Sequence, residues 1–173
     1  MMGSGKSTVG SALARRLGRC FVDSDVEIER RAGKSIAQIF ADDGETAFRA
    51  LEERVLEELG SREAVVAALG GGAIAQPGAP DRLARRGTVV FLRASPEQLV
   101  RRVGDASQRP LLRGLDCKGR LARLRELAAE REASYLTARI VVETDQATVA
   151  QVVSQILRRV EEIQRASEGG AEE

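Results

Sequence analysis

The segment that decides the fold is Met2-Gly3-Ser4-Gly5-Lys6-Ser7-Thr8, which opens directly into a helical pattern at Lys6–Leu17. It matches the second half of the phosphate-binding motif G-x-x-x-x-G-K-[ST]. Glycines at these positions let backbone N–H groups close around phosphate oxygens, and the following helix adds the positive end of its dipole. The plain alternative is a Gly/Ser turn before an amphipathic helix. Because the segment lies in a chain that alternates strands and helices, we favour the phosphate site.

The residues of this loop have predicted roles in binding a nucleotide. The ammonium of Lys6 would reach the β- and γ-phosphates, and the hydroxyl of Ser7 would coordinate Mg²⁺. The rest of the phosphate cradle would come from Gly3, Ser4, Gly5 and Thr8.

The motif is incomplete at its beginning. Its first glycine would fall immediately before residue 1, and no strand precedes the loop. We therefore predict that Met1 or Met2 is an internal methionine and that the natural start lies upstream. A folded domain is stable by only ~5–15 kcal/mol, so we expect loss of a central strand to weaken the folding and activity of the chain as given.

Composition narrows the class of protein. The chain has 173 residues, enough for one domain with a buried core. Its 27 Lys+Arg and 26 Asp+Glu nearly cancel, so the net charge does not attract the chain to nucleic acid or an anionic membrane. The absence of histidine excludes a His-based triad and a Cys/His zinc site. No apolar run approaches the ~20 residues of a membrane span. Cys20 and Cys117 fit reduced thiols, so we predict a cytoplasmic protein.

Apolar runs of strand length alternate with helical patterns along the chain. Predicted strands lie at Cys20–Val22, Ala64–Leu69, Thr88–Leu92 and Arg139–Val142. Predicted helices lie at Lys6–Leu17, Glu45–Leu59, Pro96–Val103, Gly119–Tyr135 and about 148–166. Near-continuous apolar strands are typical of a parallel sheet that is buried on both faces. The pattern predicts a three-layer α/β/α domain over residues 1–166, with a lid at about 102–115 and a disordered tail at 167–173.

Two aspartates follow the first predicted strand. Asp23 could hold Mg²⁺ through water. Asp25 stands at a helix start, where the dipole favours its ionised form, so it could accept a hydrogen bond from a substrate hydroxyl. The alternative role for Asp25 is to help cap that helix. Capping-box patterns begin at Ser24 and at Ser35.

Other candidates are two arginines and a run of glycines. Arg49 and Arg131 lie on different predicted helices, and each taken singly would be an ordinary surface arginine. If they converge, they form a clamp for a carboxylate. Gly70-Gly71-Gly72 ends a predicted strand. It would be either a flexible turn or a place where a ligand closely approaches the backbone.

The ordered set of motifs from about residue 2 to 145 resembles the shikimate kinase family. The segments that carry the resemblance are Phe21-Val22-Asp23-Ser24-Asp25 with Glu27-Ile28-Glu29, Gly33-Lys34-Ser35-Ile36, Ile39-Phe40 with Gly44-Glu45 and Phe48-Arg49, Gly70-Gly71-Gly72, Arg109-Pro110-Leu111-Leu112 and Arg131-Glu132-Ala133-Ser134-Tyr135. The resemblance implies the strand order 2-3-1-4-5 with strand 1 missing from this chain. We therefore expect a gap in the sheet between Ala64–Leu69 and Thr88–Leu92.

The resemblance also implies a function. ATP would phosphorylate the 3-hydroxyl of shikimate in aromatic amino-acid biosynthesis, with Mg²⁺ as the metal. Arg49 and Arg131 would bind the shikimate carboxylate, the helices at about 24–60 and the three glycines would form the substrate site, and Asp25 would orient the hydroxyl. Arg109 would bring a positive charge to the phosphoryl group as the lid closes. Arg102 would contact the nucleotide, and the loop around Gln146 would hold the adenine.

Three other interpretations of the function stay open at this point. Another P-loop kinase, of gluconate or adenylate, would share the phosphate site, and gluconate also offers a carboxylate. A non-catalytic relative would bind the ligands without reaction, and a truncated chain would be inactive. We expect a monomer whose partners are shikimate and ATP, with no nucleic acid and no membrane.

Overall fold

The computed structural model describes residues 1–104 and 110–169, in which helices and short strands alternate. The strands are β1 (Cys20–Asp23), β2 (Val65–Ala68), β3 (Val90–Arg93) and β4 (Ile140–Glu143). The helices are α1 (Lys6–Leu17), α2 (Ser24–Ala32), α3 (Ile36–Asp42), α4 (Gly44–Ser61), α5 (Ala79–Arg86), α6 (Pro96–Val103), α7 (Cys117–Tyr135) and α8 (Val149–Gly169). Single 3₁₀ turns occur at Ala73–Ala75 and Pro110–Leu112.

The strands form two parallel pairs. β1 pairs with β2, starting at Cys20 opposite Val65, and β3 pairs with β4, starting at Val90 opposite Ile140. Among the described residues no ladder of hydrogen bonds joins β2 to β3. The predicted α/β class with parallel strands is confirmed, and the expected gap between the second and third strands is present.

Helices α1 and α8 cover one side of both strand pairs. Val9 of α1 and Ile156 of α8 lie in one buried cluster with Leu92 and Val142 of the second pair. Val66 of the first pair packs against the same cluster. This shared apolar layer holds the two pairs together across the gap, because burial of apolar surface stabilises at about 25 cal/mol per Å² wherever the side chains meet.

Helices α6 and α7 form the opposite layer. Leu99 of α6 and Leu127 of α7 are almost fully buried, and Phe91 of β3 packs against their cluster. Met1 lies in the same cluster at 7% exposure, so the start of the phosphate loop is inserted between this layer and the strands. Leu112, in the segment predicted as a lid, is also fully buried here.

A third cluster packs α2, α3 and α4 against one another. One residue of each helix, Ile28, Ile39 and Val55, has no exposed surface. On α4 a charged residue takes part in this packing, because Glu52 is buried at 2% exposure while Leu51 is only partly buried. Two of the predicted site residues lie on these helices, Asp25 on α2 and Arg49 on α4.

Helix starts and ends agree with the sequence in most places. Ser35 forms the predicted capping box with Gln38. The box predicted at Ser24 is wrong, because Ser24 is already helical and the side chain of Asp23 caps α2 by accepting from the N–H of Asp25. Helix α8 runs to Gly169, so the predicted tail begins inside a helix, and residues 170–173 lie outside the described part. No helix in the described part is long and apolar enough to cross a membrane.

Candidate active site

The glycines of the phosphate loop are required by its geometry. Gly3 and Gly5 have φ of 72° and 89°, in the left-handed region that other residues rarely adopt. A Cβ on Gly3 would come 2.9 Å from the Val103 side chain and 3.3 Å from the Leu99 carbonyl oxygen. The loop therefore packs closely against α6 just before α1 begins. Its backbone N–H groups lie at the N-terminus of α1, where an anion would bind.

The side chain of Lys6 folds back toward the start of this loop. Its ammonium donates a 2.6 Å hydrogen bond to the Met1 carbonyl oxygen, and the buried hydroxyl of Ser4 donates to the same oxygen at 3.0 Å. The ammonium is thus held against the start of the loop. Its role in contacting phosphate oxygens stays a prediction.

The two residues predicted to hold a metal are brought together. The Ser7 hydroxyl donates to Asp23 Oδ2 at 2.6 Å, from the first turn of α1 to the end of β1. Their oxygens suit a hard cation such as Mg²⁺, which keeps waters and takes further ligands from nucleotide phosphates. A cluster of three or more His, Cys, Asp or Glu that could hold a metal by itself does not occur in the described part of the chain. The pair therefore fits a metal that arrives with a nucleotide.

Asp25 faces the first of the three glycines together with a second carboxylate. A Cβ on Gly70 would come 2.7 Å from Asp25 Oδ1 and 2.9 Å from Glu52 Oε1. The Gly70 N–H donates to the buried hydroxyl of Ser24 at 2.9 Å, which fixes the glycine beside α2. Glycine is needed here because any side chain would displace these carboxylates.

Glu52 is a site residue that the sequence analysis missed. Its carboxylate accepts a 2.7 Å hydrogen bond from Arg49 Nη1. Burial raises the pKa of Glu52 and the neighbouring Asp25 raises it further, while Arg49 opposes both. The signal in the sequence was a glutamate on the apolar stripe of α4, between Phe48 and Val55. A charged residue at such a position indicates a buried partner.

The three glycines lie between Arg49 and Arg131. A Cβ on Gly72 would come 3.0 Å from Arg49 Nη1, and one on Gly71 would come 3.7 Å from Arg131 Nη1. Arg131 Nη1 donates to the Gly71 carbonyl at 3.1 Å. The predicted convergence of the two arginines on one segment is therefore observed. The N–H groups of Gly71 and Gly72 have no acceptor within residues 1–104 and 110–169.

Arg102 lies beside the loop that follows β4. It donates to the Thr144 hydroxyl at 3.0 Å and to the Thr144 carbonyl, and Thr144 is buried. The carboxylate of Asp145 accepts from the Ser95 N–H at 3.0 Å, which fixes this loop at the start of α6. Gln146 is exposed in the same loop. The residues predicted to hold the base of a nucleotide are thus neighbours.

Arg109 is the one predicted site residue that lies outside the described residues. The described chain leaves α6 after Val103 and resumes at the 3₁₀ turn Pro110–Leu112. The roles assigned to Arg109 and to the lid remain predictions from the sequence.

Lys6 and Ser7 open α1 at the carboxyl end of β1, where Ser7 hydrogen-bonds Asp23, and Asp25 lies beside Gly70 just after β2. This arrangement defines a P-loop kinase. The family model for shikimate kinase matches residues 2–161 of the chain.

Similar proteins agree with this assignment. The chain is 43% identical over 177 residues to the shikimate kinase of Chlorobaculum tepidum, which covers 99% of this chain and 93% of the relative. It is 46% identical over 164 residues to that of Chromohalobacter salexigens, covering 94% and 89%. Among solved structures, the shikimate kinase of Acinetobacter baumannii in complex with shikimate superimposes with a TM-score of 0.87 at 41% identity, covering 93% and 89%. The chain belongs to the shikimate kinase family.

Proposed function

We propose that this chain transfers the γ-phosphoryl group of ATP to the 3-hydroxyl of shikimate, giving ADP and shikimate 3-phosphate. The observation that carries the proposal is the position of the three glycines between Arg49 and Arg131, with Asp25 beside the first of them. That arrangement offers a carboxylate clamp and a hydroxyl acceptor along one glycine segment. An arginine clamp would also bind the carboxylate of gluconate, so the choice of shikimate rests on membership of the shikimate kinase family.

The shikimate carboxylate would bind between the two guanidinium groups. Arg49 is held by Glu52 and Glu45, so its side chain is oriented before any ligand arrives. The N–H groups of Gly71 and Gly72 supply further donors at the same place. Because glycines carry no side chain, the ring can lie directly on the backbone.

Asp25 would orient the 3-hydroxyl of the substrate and accept its proton late in the reaction. The transition state of phosphoryl transfer is loose, so accurate positioning contributes more than strong base catalysis. Lys6 would neutralise the negative charge that develops on the phosphoryl oxygens. Arg109 would add a second positive charge when the lid closes.

The nucleotide would bind as its Mg²⁺ complex. Ser7 would be a direct ligand and Asp23 would hold the metal through water, consistent with their shared hydrogen bond. When bound, Mg²⁺ neutralises phosphate charge. Gly3, Ser4, Gly5 and Thr8 would surround the phosphates. Arg102 would contact the nucleotide, and the loop at Gln146 would hold the adenine. A cytoplasmic location and a monomeric state stay predictions.

A substrate panel tests the proposal directly. Purified chain is given Mg·ATP with shikimate, gluconate or AMP, and release of ADP and of the phosphorylated product is measured. Turnover with shikimate alone supports the proposal. Faster turnover with gluconate or AMP would instead indicate a gluconate kinase or an adenylate kinase. Calorimetric binding of both shikimate and ATP without any product supports the non-catalytic relative instead.

We expect Arg49→Ala and Arg131→Ala each to raise KM for shikimate by about 30- to 100-fold, because each removes a charge-assisted hydrogen bond to the carboxylate. KM for ATP should stay within about twofold. Arg54→Ala is the matched control, because Arg54 is exposed on the same helix as Arg49. A normal KM for shikimate in both variants would reject the clamp.

Arg109→Ala should lower kcat by about 10²-fold, because one donor to the developing phosphoryl charge is lost. Shikimate affinity, measured by equilibrium binding, should change little. Arg113→Ala, also beyond α6 and exposed, serves as the control. A loss of shikimate affinity as large as the loss of turnover contradicts the lid role.

A further inference from the structure

Tyr135 is the only tyrosine of the chain, and the chain contains no tryptophan. It ends α7 and is 5% exposed. Its ring stacks on Phe91 of β3, with ring centroids 4.6 Å apart and planes inclined by 16°. Its hydroxyl donates a 2.6 Å hydrogen bond to the carbonyl oxygen of Gly71, 64 residues earlier in the chain. The ring therefore belongs to the apolar core, whereas the hydroxyl reaches the three glycines of the substrate site.

The Gly71 carbonyl oxygen receives two donors at once. Tyr135 binds it at 2.6 Å and Arg131 binds it at 3.1 Å, which its two lone pairs allow. A substrate carboxylate would compete for Arg131 with advantage, because it offers a negative charge to the guanidinium and can accept two parallel hydrogen bonds, whereas the Gly71 carbonyl is neutral. When Arg131 turns to the carboxylate, Tyr135 is left as the donor that holds Gly71.

The held carbonyl also sets the direction of a neighbouring N–H group. The carbonyl of Gly71 and the N–H of Gly72 belong to one planar trans peptide and point in opposite directions. Because Tyr135 fixes the carbonyl toward α7, the Gly72 N–H points away from α7, and Arg49 lies on Gly72. Glycines have the widest conformational freedom of all residues, so this segment needs an external anchor to keep one orientation.

We propose that Tyr135 is a positioning residue for substrate binding: its hydroxyl holds the Gly71 carbonyl while Arg131 leaves it for the substrate carboxylate. The segment then keeps the orientation that presents the N–H groups of Gly71 and Gly72 to the ligand, while the Gly70 N–H stays bonded to Ser24. The inference rests on the proposed function, because it takes the substrate to be an anion bound by Arg131. If Tyr135 contributed only to the apolar core, its replacement by phenylalanine would not change the affinity for the substrate.

Tyr135→Phe isolates the hydroxyl, since the ring and its stacking on Phe91 are kept. We expect KM and the calorimetric Kd for shikimate to rise about tenfold, as loss of one buried hydrogen bond predicts. Both kcat and KM for ATP should stay within about twofold. The matched control is Phe91→Leu, which disturbs the stacking and keeps the hydroxyl. That variant should lower the melting temperature while leaving KM for shikimate unchanged.

A spectroscopic measurement tests whether Arg131 leaves the Gly71 carbonyl for the substrate carboxylate. Because the chain has one tyrosine and no tryptophan, its tyrosine emission comes from Tyr135 alone. Titration with shikimate should change this emission in the wild type, since Arg131 leaves the neighbourhood of the phenol. In Arg131→Ala, titrated to saturation at the higher shikimate concentrations that its raised KM requires and with binding followed by calorimetry, the change should be absent. An equal change in both proteins contradicts the exchange.

The outcomes separate the two proposals. A wild type that binds shikimate without phosphorylating it contradicts the proposed function. Equal shikimate affinity in the wild type and Tyr135→Phe overturns the role of Tyr135, whatever the turnover. An equal rise in KM for shikimate and for ATP in Tyr135→Phe also overturns it, because a general loss of folding would affect both ligands.

Discussion

Lys6→Met should lower kcat for shikimate phosphorylation by about 10³- to 10⁴-fold while changing the affinity for ADP only a few-fold. The ammonium contributes mainly to the transition state, in which charge spreads over the oxygens of the moving phosphoryl group. In the structure this ammonium is already held over the loop by the Met1 carbonyl, 2.6 Å away. Little reorganisation is therefore needed when ATP binds, and its removal should appear in turnover.

The control for this experiment is Lys34→Met. Lys34 makes exposed ion pairs with Asp42 and Asp43 and lies outside the phosphate site. Turnover is measured by coupled ADP release, and ADP affinity by calorimetry. If Lys6→Met retains kcat within tenfold of the wild type, Lys6 has no special role in the transition state and the phosphate-loop interpretation of the segment is wrong.

All four strands lie within two residues of their predicted bounds, but helix α5 (Ala79–Arg86) was not predicted. Helices α1 and α6 begin and end at the predicted residues. Local signals explain this: Gly18 closes α1 in a left-handed conformation, and Ser95 caps α6 by accepting from Gln98 N–H. The start of α2 was misplaced by one residue, because two neighbouring side chains, Asp23 and Ser24, are both able to cap a helix.

The site was predictable where a motif places its residues close in the sequence. Ser7 and the loop glycines follow from one short segment. The convergence of Arg49 and Arg131 on the three glycines was expected from the resemblance to a family, since sequence spacing alone does not show it. Glu52 was missed because an Arg–Glu pair three residues apart on a helix usually lies at the surface. Its burial depends on packing of α4 against α2, which local patterns do not specify.

Asp25→Asn should lower kcat by about 10³-fold and raise KM for shikimate only a few-fold. The amide keeps the size of the side chain but cannot accept the proton of the attacking hydroxyl as a carboxylate does. The arginine clamp remains, so most of the binding energy for the carboxylate is retained. The alternative role of Asp25 as the helix cap does not predict this result, because the side chain of Asp23 caps α2.

For the stability of Asp25→Asn we expect a gain, in contrast to the loss of turnover. Burial raises the pKa of Glu52, and the charge of Asp25 raises it further. An acid whose pKa is higher in the folded state than in the unfolded state stabilises the fold below its unfolded pKa, and this contribution is lost as the pH rises through the folded pKa. At neutral pH the repulsion between Asp25 and Glu52 therefore opposes folding. Asp25→Asn should raise the melting temperature at neutral pH, with a smaller gain near pH 4.

A gain in stability together with a loss of turnover would identify Asp25 as a residue kept for its chemistry. Asp42→Asn is the control, because Asp42 is exposed beside Lys34 and distant from Glu52. It should change neither quantity by much. If Asp25→Asn lowered the melting temperature and left kcat near that of the wild type, Asp25 would be a structural residue, and the acceptor of the hydroxyl proton would have to be sought elsewhere, with Glu52 as the nearest carboxylate across Gly70.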